Sequence, residues 1–170
     1  LKKICNKLKK NKSSKNWLNK RKGDVYSRKS KAYGFRSRSA FKLIEMNKKF
    51  RFLKKNTHLL DLGSSPGGWS QVATKELSKG KILSVDIKLM EKIRNVDFIS
   101  GDFNDKKIQD QIISYFNNEK INVVISDMAA NTSGNKDVDS FRTGELCLKA
   151  MDLAKKILRK EGVFISKIFM

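Results

Sequence analysis

Apolar and polar segments alternate along residues 58–170 in a pattern that predicts strands and helices in turn. Short apolar runs rich in β-branched residues predict strands at 58–62, 81–86, 96–99, 121–126 and 162–169. Longer segments with helical spacing predict helices at 69–78, 105–117 and 141–159. Gly162 is the expected stop of the last helix. Because strands that alternate with helices pair in parallel, we expect an α/β fold with a Rossmann-like, doubly wound, mostly parallel sheet.

One further helix precedes this alternation. Ser37 or Ser39 can serve as its N-cap, and its pattern continues to about residue 50. Its apolar positions at helical spacing predict a buried stripe of Ala40, Leu43, Met46 and Phe50. Lys42 falls on the flank of this stripe, so we expect its ammonium group to leave the core and face a cleft.

A glycine-rich loop, Asp-Leu-Gly-Ser-Ser-Pro-Gly-Gly-Trp-Ser-Gln at 61–71, follows the first strand. Its glycines lack the Cβ atoms that would keep a nucleotide-like ligand away from the backbone; they are Gly63, Gly67 and Gly68. The loop is not a P-loop, because Trp69 follows the second glycine of the pair where a P-loop has lysine. Ser65 stands where a dinucleotide fingerprint needs glycine. A ligand with an adenosine but no pyrophosphate fits better, and S-adenosylmethionine is the common one.

Three acids each follow a predicted strand. Asp86 ends the second strand, 18 residues beyond Gly68, where α/β nucleotide binders hold ribose hydroxyls. Asp102 follows the third strand, in a position to meet an adenine, and Asp127 follows the fourth. Any one of these acids alone is more often a helix cap or a solvated turn residue. Together, after a glycine loop, they predict a ligand crevice at the carboxyl ends of a parallel sheet.

The charge of the chain is concentrated near its beginning. The 170 residues suffice for one α/β domain and carry a net charge of +21. Residues 1–55 hold 21 Lys and Arg against two acids, a net of +19, whereas residues 56–170 hold 17 against 15, a net of +2. This asymmetry favours a nucleic-acid partner over a solubilising tail or a patch for anionic membranes. We expect residues 1–35 to be a basic RNA-binding arm, flexible without RNA, and residues 36–170 to form the α/β domain.

Cysteine, histidine and apolar runs add little chemistry. Cys5 and Cys147 are too few and too far apart for a zinc site or a disulfide framework, which favours a reducing compartment. His58, the only histidine, stands at a strand start, where a packed or surface role is the more frequent one. No signal peptide or spanning segment is visible. We therefore expect a cytoplasmic protein that binds no metal.

Several motifs in one order give the chain a family resemblance over about residues 13–170. It resembles the FtsJ-like (RrmJ-type) ribosomal RNA 2′-O-methyltransferases. The matching segments are Ser13-Ser14 with Trp17-Leu18, residues 34–43, the loop at 61–71, residues 96–102, residues 126–129 with 131–134, and residues 164–169. The resemblance implies methylation of a ribose in large-subunit ribosomal RNA, most often of a uridine, by a monomer.

The resemblance also implies the site residues. Those for the methyl donor S-adenosylmethionine are Gly63, Gly67, Trp69, Asp86, Asp102 and Asp127. Those for RNA are Arg36, Arg38 and Lys42. A catalytic Lys-Asp-Lys-Glu set is carried by Lys42, Asp127 and Lys167. Its glutamate, on a later strand, has no counterpart up to Met170, since Glu145 and Glu161 do not match its motif. We therefore expect a fragment that lacks the family's C-terminal strands.

The expected chemistry assigns a role to each catalytic residue. A ribose hydroxyl is a poor nucleophile until it loses its proton, and Lys167 at the end of a buried strand is the candidate general base. It needs burial and a nearby cation, Lys42, to lower its pKa from the usual value of about 10.4. Asp127 would orient Lys167 or stabilise the ammonium formed. Two alternatives are an RNA-binding protein on a catalytically silent methyltransferase scaffold and, more distantly, an NAD-dependent oxidoreductase.

Overall fold

A computed structural model describes residues 25–168 of the chain. Five helices and five strands lie within this range. The elements are α1 Val25–Ala32, α2 Ala40–Phe50, β1 Leu59–Leu62, α3 Gly68–Glu76, β2 Ile82–Asp86, β3 Asp97–Ser100, α4 Lys106–Tyr115, β4 Ile121–Ser126, α5 Lys136–Ile157 and β5 Leu158–Ser166.

The five strands form one parallel sheet in the order β3-β2-β1-β4-β5. Leu62, at the end of β1, pairs with Val85 of β2 on one side and with Ser126 of β4 on the other. The strand order therefore reverses between β1 and β4. In open parallel sheets this reversal opens a crevice at the carboxyl ends of the two strands, where ligands bind. The predicted Rossmann-like α/β fold is confirmed.

The central strands are mostly apolar because both faces of the sheet are covered. All four residues of β1 are buried, and so are the first four of β2. On one face, Leu59 and Val123 pack with Leu43 of α2 and Val72 of α3. On the opposite face, the apolar residues of α4 and α5 complete a second core around Leu60.

The first part of the chain contains a helix that the sequence pattern does not predict. Instead of a flexible segment throughout 1–35, α1 occupies residues 25–32, and aromatic rings join it to α2. Phe41 of α2 lies 5.7 Å from Tyr26, 6.1 Å from Tyr33 and 5.6 Å from Phe35, measured between ring centroids. These ring contacts form only in the folded chain, which is why periodicity does not reveal them. The rest of the predicted arm, residues 1–24, lies outside the described residues.

The last helix and strand both begin earlier than predicted. The Asn135 side chain caps α5 by accepting hydrogen bonds from the backbone N–H groups of Asp137 and Val138, at 3.0 and 3.4 Å. The helix ends at Ile157, and β5 starts at the next residue. Gly162 therefore lies within the strand and does not stop the helix, and the irregularity in the pairing of β4 with β5 accommodates it.

One member of the predicted stripe on α2 is not in the core. Ala40 and Leu43 are fully buried and Met46 is partly buried, but Phe50 is 64% exposed. The helix ends at Phe50, and Arg51 adopts a left-handed conformation (φ 50°) that turns the chain. Two later residues, Phe52 and Leu53, supply the buried side chains there.

Candidate active site at the carboxyl ends of β1 and β4

Two glycines of the loop after β1 are required by the packing of neighbouring side chains. Gly63 has a φ of +70°, and a Cβ at this position would lie 2.1 Å from Cγ of Met128. Gly67 has a φ of +106° at the N-cap of α3, and its Cβ would lie 2.7 Å from Cδ1 of Ile93. Because other residues rarely adopt such angles, larger side chains at either position would move the loop. The loop backbone therefore lies close to neighbouring side chains at the crevice.

Two cavities meet along this loop. One, of about 610 Å³, lies between the loop and the α1–α2 region and is lined by Asp61, Ser64 and Trp69 among others. The second, of about 260 Å³, lies over the ends of β2 and β3 and is lined by Asp86 and Asp102. Both are also lined by Gly63, Ser65 and Asp127. Together they form an elongated cleft with carboxylates along its length.

The acids after β2 and β3 shape their own turns. The Asp86 carboxylate accepts hydrogen bonds from the backbone N–H of Ser65 at 2.8 Å and of Lys88 at 2.7 Å. One Asp102 carboxylate oxygen accepts from the backbone and the side-chain amide of Asn104, at 2.9 and 2.7 Å. A carboxylate can accept about four hydrogen bonds, so each acid can still accept hydrogen bonds from a ligand in the cleft.

Trp69 is buried and hydrogen-bonded within the protein. It is 4% exposed and packs in the core, and its indole N–H donates to the backbone oxygen of Ser39 at 2.9 Å. It lines the larger cavity but not the one that Asp86 and Asp102 line. In this position its ring joins α2 to the glycine loop, and its assignment to donor binding stays a prediction.

A third cavity, of about 560 Å³, brings the three predicted catalytic residues together. Lys42 from α2, Asp127 after β4 and Lys167 after β5 all line it. The Lys167 ammonium donates to the Asp127 carboxylate and to the Asp127 backbone oxygen, both at 2.8 Å. Asp127 also lines the two cavities of the cleft. A single carboxylate thus stands where all three spaces meet.

The two predicted RNA-binding arginines have different surroundings. The Arg36 guanidinium donates to three backbone oxygens, those of Pro66 at 3.2 Å, Glu91 at 2.6 Å and Lys92 at 3.0 Å. These bonds fasten the glycine loop to the segment after β2, which favours a structural role for Arg36. Arg38 is exposed and lines both the cavity of Lys167 and the larger cavity of the cleft.

Sequence reasoning missed two acids at this site. Glu45, one turn after Lys42 on α2, lines the cavity of Lys42 and Lys167, while the previously considered Glu145 and Glu161 do not. The second is Asp61, in the middle of β1. Asp61 is the first residue of the glycine-rich segment 61–71, but it lies inside β1, so a pattern of acids that follow strands does not include it.

Asp61 is a buried carboxyl with an incomplete set of partners. One oxygen accepts from the Ser70 hydroxyl at 2.6 Å, and that hydroxyl is 2.8 Å from the one of Ser84. The other oxygen is buried without a hydrogen-bond partner among the described residues, as are the Ser64 and Ser126 hydroxyls. Burial raises the pKa of Asp61 to about 7, opposed by the Ser70 hydrogen bond and supported by the nearby charges of Asp127 and Asp86. Buried orphan acceptors of this kind suit a ligand that brings hydrogen-bond donors.

We expect Asp61→Asn to reduce the loss of stability at high pH. The pKa of Asp61 in the folded protein, about 7, lies above the ordinary value of 3.8. The protonated carboxyl therefore contributes fully to the free energy of unfolding below about pH 4, and this contribution is lost as pH rises through 7. Urea unfolding of the ligand-free protein at pH 5 and pH 8 should show wild type losing about 2–3 kcal/mol more than the variant. Asp110→Asn, which replaces an exposed acid on α4, is the matched control. Parallel pH dependence in wild type and Asp61→Asn would contradict the assignment.

The described residues contain no helix that is long and apolar enough to cross a membrane.

Comparison with known proteins identifies the family. The FtsJ-like methyltransferase family matches residues 35–170. The chain is 49% identical over 163 residues to the ribosomal RNA large subunit methyltransferase E of Pelagibacter ubique, covering 96% of this chain and 80% of that protein. The protein of that name from Hahella chejuensis is 43% identical over 159 residues, with 93% and 77% covered.

A solved structure gives the same result. A Plasmodium falciparum protein described as a ribosomal RNA methyltransferase superposes with a TM-score of 0.74 at 34% identity, covering 80% of this chain and 79% of that one. This chain belongs to the FtsJ-like methyltransferase family. It is therefore an S-adenosylmethionine-dependent methyltransferase, and the predicted family, reaction class and methyl donor are confirmed.

Proposed function

We propose that this FtsJ-like methyltransferase transfers a methyl group from S-adenosylmethionine to the 2′-hydroxyl of a ribose, a uridine of large-subunit ribosomal RNA. The observation that carries the proposal is the position of Asp127, which lines the two cavities of the donor cleft and the third cavity with Lys42 and Lys167. An in-line displacement needs donor and nucleophile held on either side of one point. The names of the relatives support large-subunit ribosomal RNA as the substrate.

The cleft fits the donor in shape and chemistry. Asp86 and Asp102 offer carboxylate oxygens to the hydroxyls and the amino group of an adenosine in the smaller cavity. Asp61 and Ser64 line the larger cavity and each carries a buried polar atom without a hydrogen-bond partner among the described residues, which suits the amino and carboxylate groups of the methionine portion. When bound, the donor supplies a methyl group on a positively charged sulfur.

Lys167 is the proposed general base. A neutral amine at Nζ accepts the proton of the 2′-hydroxyl as the ribose oxygen attacks, and the Asp127 carboxylate, 2.8 Å away, stabilises the ammonium that results. Lys42 faces the same cavity and contributes a positive charge. The side chains of Lys167 and Asp127 are 22% and 20% exposed, so their pairing is partly shielded from water.

The RNA side of the proposal uses positive charge around the third cavity. Arg38 and Lys42 line this cavity and are exposed to incoming phosphates. Residues 1–35 form the proposed basic arm, which binds the RNA backbone through charge and without reading bases. We further propose that the protein acts as a monomer in the cytoplasm, where its ribosomal substrate resides.

The experiment that tests this function is methyl transfer to defined RNA. The chain is incubated with radiolabelled S-adenosylmethionine and a large-subunit ribosomal RNA transcript, and the product is mapped by alkaline hydrolysis, which a 2′-O-methyl group blocks. We expect one protected uridine linkage. Donor binding with RNA binding but no incorporation would instead establish the silent RNA-binding alternative, and incorporation into bases would overturn the ribose assignment.

Asp86→Ala should weaken donor binding. The substitution removes a charged acceptor for ribose hydroxyls, and one such hydrogen bond is worth about 1.5–3 kcal/mol, so the Kd should rise by about 10- to 150-fold. Calorimetry with S-adenosylmethionine measures the change, and circular dichroism checks the loop that Asp86 holds through Ser65. Asp110→Ala, which removes an exposed acid on α4, serves as the control. An unchanged Kd, or equal affinity of wild type for NAD, would refute the donor assignment.

A further inference from the structure

A cluster of cations lies at the end of the sheet opposite the candidate active site. A cavity of about 530 Å³ there is lined by Arg51, Lys54, Lys55 and Arg159, and by the aromatic side chain of Phe50. We call these five residues the basal surface. All of them are exposed, and none of the four cations forms an ion pair with an acid of residues 25–168. Glu161 is the one acid that lines this cavity, so positive charge dominates.

The loop that carries Arg51, Lys54 and Lys55 is fixed in place, while Arg159 belongs to β5. Asn47 accepts a hydrogen bond from the backbone N–H of Leu53 at 3.0 Å, and the Thr57 hydroxyl accepts from that of Lys54 at 2.9 Å. The backbone oxygen of Lys55 accepts from Ser78 and Lys79, at 3.1 and 3.0 Å. A braced loop presents its lysines at a constant spacing, which lowers the entropy cost of binding a charged partner.

Phe50 adds an aromatic face to this charge. Its ring is 64% exposed, and the Lys49 ammonium lies 5.3 Å from the ring centroid. An exposed aromatic ring is unfavourable in water, because burial of its apolar surface lowers the free energy. Aromatic rings among cations characterise surfaces that bind single-stranded nucleic acid, in which bases stack on rings while lysine and arginine contact phosphates.

The basal surface is separate from the catalytic machinery. Thr57, shortly before β1, and Asn122, the second residue of β4, also line its cavity, whereas Gly63 and Asp127 follow these strands. Six residues of β4 at about 3.3 Å each put the two ends roughly 20 Å apart. A bound RNA segment of several nucleotides is needed to reach from one to the other.

We propose that the basal surface is a second RNA-binding site, which holds a single-stranded segment of the RNA substrate away from the methylated nucleotide. RNA is favoured over an acidic protein segment because the surface combines an exposed ring with cations and with the side-chain amides of Asn56 and Asn122. The ring stacks on a base, and the cations contact consecutive phosphates. This inference rests on the proposed function only in taking RNA as the partner.

The first test measures RNA affinity at several salt concentrations. Fluorescein-labelled oligouridine is titrated with the full chain and with two variants, Phe50→Ala and the double variant Lys54→Ala with Lys55→Ala. Loss of one stacked base should weaken binding about 5- to 150-fold. Loss of two phosphate contacts should reduce the slope of log affinity against log salt by about 1.4, since each contributes about 0.7 on single strands. Phe50→Trp should restore binding.

Matched controls separate this site from general charge and aromatic effects. Lys106→Ala with Lys107→Ala removes two exposed lysines at the start of α4, and Phe141→Ala removes a ring that is 69% exposed on α5. Both should bind oligouridine like wild type, and donor affinity should stay unchanged in all variants. Equal losses in the controls and at the basal surface would overturn the proposal.

A crosslink gives a readout that does not depend on folding of a variant. Oligouridine carrying 5-bromouridine is irradiated with the wild-type chain, and mass spectrometry should place a crosslink at Phe50. Crosslinks confined to α1 and the third cavity would refute the basal surface but leave the proposed function intact. Failure of wild type to bind RNA at all would refute both. Binding of polyglutamate that needs Lys54 and Lys55, with RNA binding unaffected by their loss, would assign the surface to an acidic protein partner instead.

Discussion

Substitution of Lys167 by alanine should lower kcat for RNA methylation by about 100- to 10,000-fold, the usual contribution of a general base. The Kd for S-adenosylmethionine should change little, because a base stabilises the transition state and contributes nothing to binding of the donor. Lys167 lines the third cavity and neither cavity of the donor cleft, which is the physical basis for this separation. Single-turnover methylation and calorimetry on the same preparation measure the two quantities.

Lys167→Arg tests whether charge alone is sufficient. A guanidinium stays protonated and cannot accept the 2′-proton, so this variant should be as inactive as the alanine variant although it can still pair with Asp127. Lys149→Ala, on α5, controls for the loss of one positive charge. Turnover of Lys167→Arg close to that of wild type would leave Lys167 with an electrostatic or structural role only.

The parallel sheet could be predicted because the central strands are buried on both faces, but their order comes from the structure. β1 and β4 are therefore mostly apolar, and the glycine loop between β1 and α3 marks the sharp turn that a parallel crossover needs. Boundaries set by side-chain hydrogen bonds or by distant contacts were harder to predict. The cap from Asn135 lengthens α5, and the rings around Phe41 order α1.

Some residues of the candidate site could be predicted from the sequence, and others could not. Asp86, Asp102 and Asp127 were accessible from the sequence because the ends of parallel strands meet at one edge of the sheet. Asp61 was not, since an acid within an apolar strand gives no sign of its burial or of its raised pKa. For Arg36, a basic motif does not reveal that backbone oxygens hold its guanidinium, and its assignment to RNA binding stays a prediction.

Asp127→Ala should have the largest effect on kcat/KM of any single substitution at the site. The carboxylate lines both cavities of the donor cleft and pairs with Lys167 at 2.8 Å, so its loss damages donor binding and proton transfer together. Loss of one hydrogen bond to a charged group should raise the Kd for S-adenosylmethionine by about 10- to 150-fold. The lower kcat and the weaker donor binding should both reduce kcat/KM.

A double-variant cycle shows whether Asp127 acts on catalysis through Lys167. If its catalytic role is to orient Lys167 and stabilise the ammonium, kcat of the double alanine variant should equal that of Lys167→Ala, because no base remains to be supported. The Kd for the donor should nevertheless be that of Asp127→Ala, since Lys167 takes no part in donor binding. Asp127→Asn, of similar shape, should keep part of the donor affinity while losing the charge that stabilises the ammonium. Independent, multiplicative losses in kcat would mean that Asp127 and Lys167 contribute separately, and that the ion pair between them supports the fold and not the reaction.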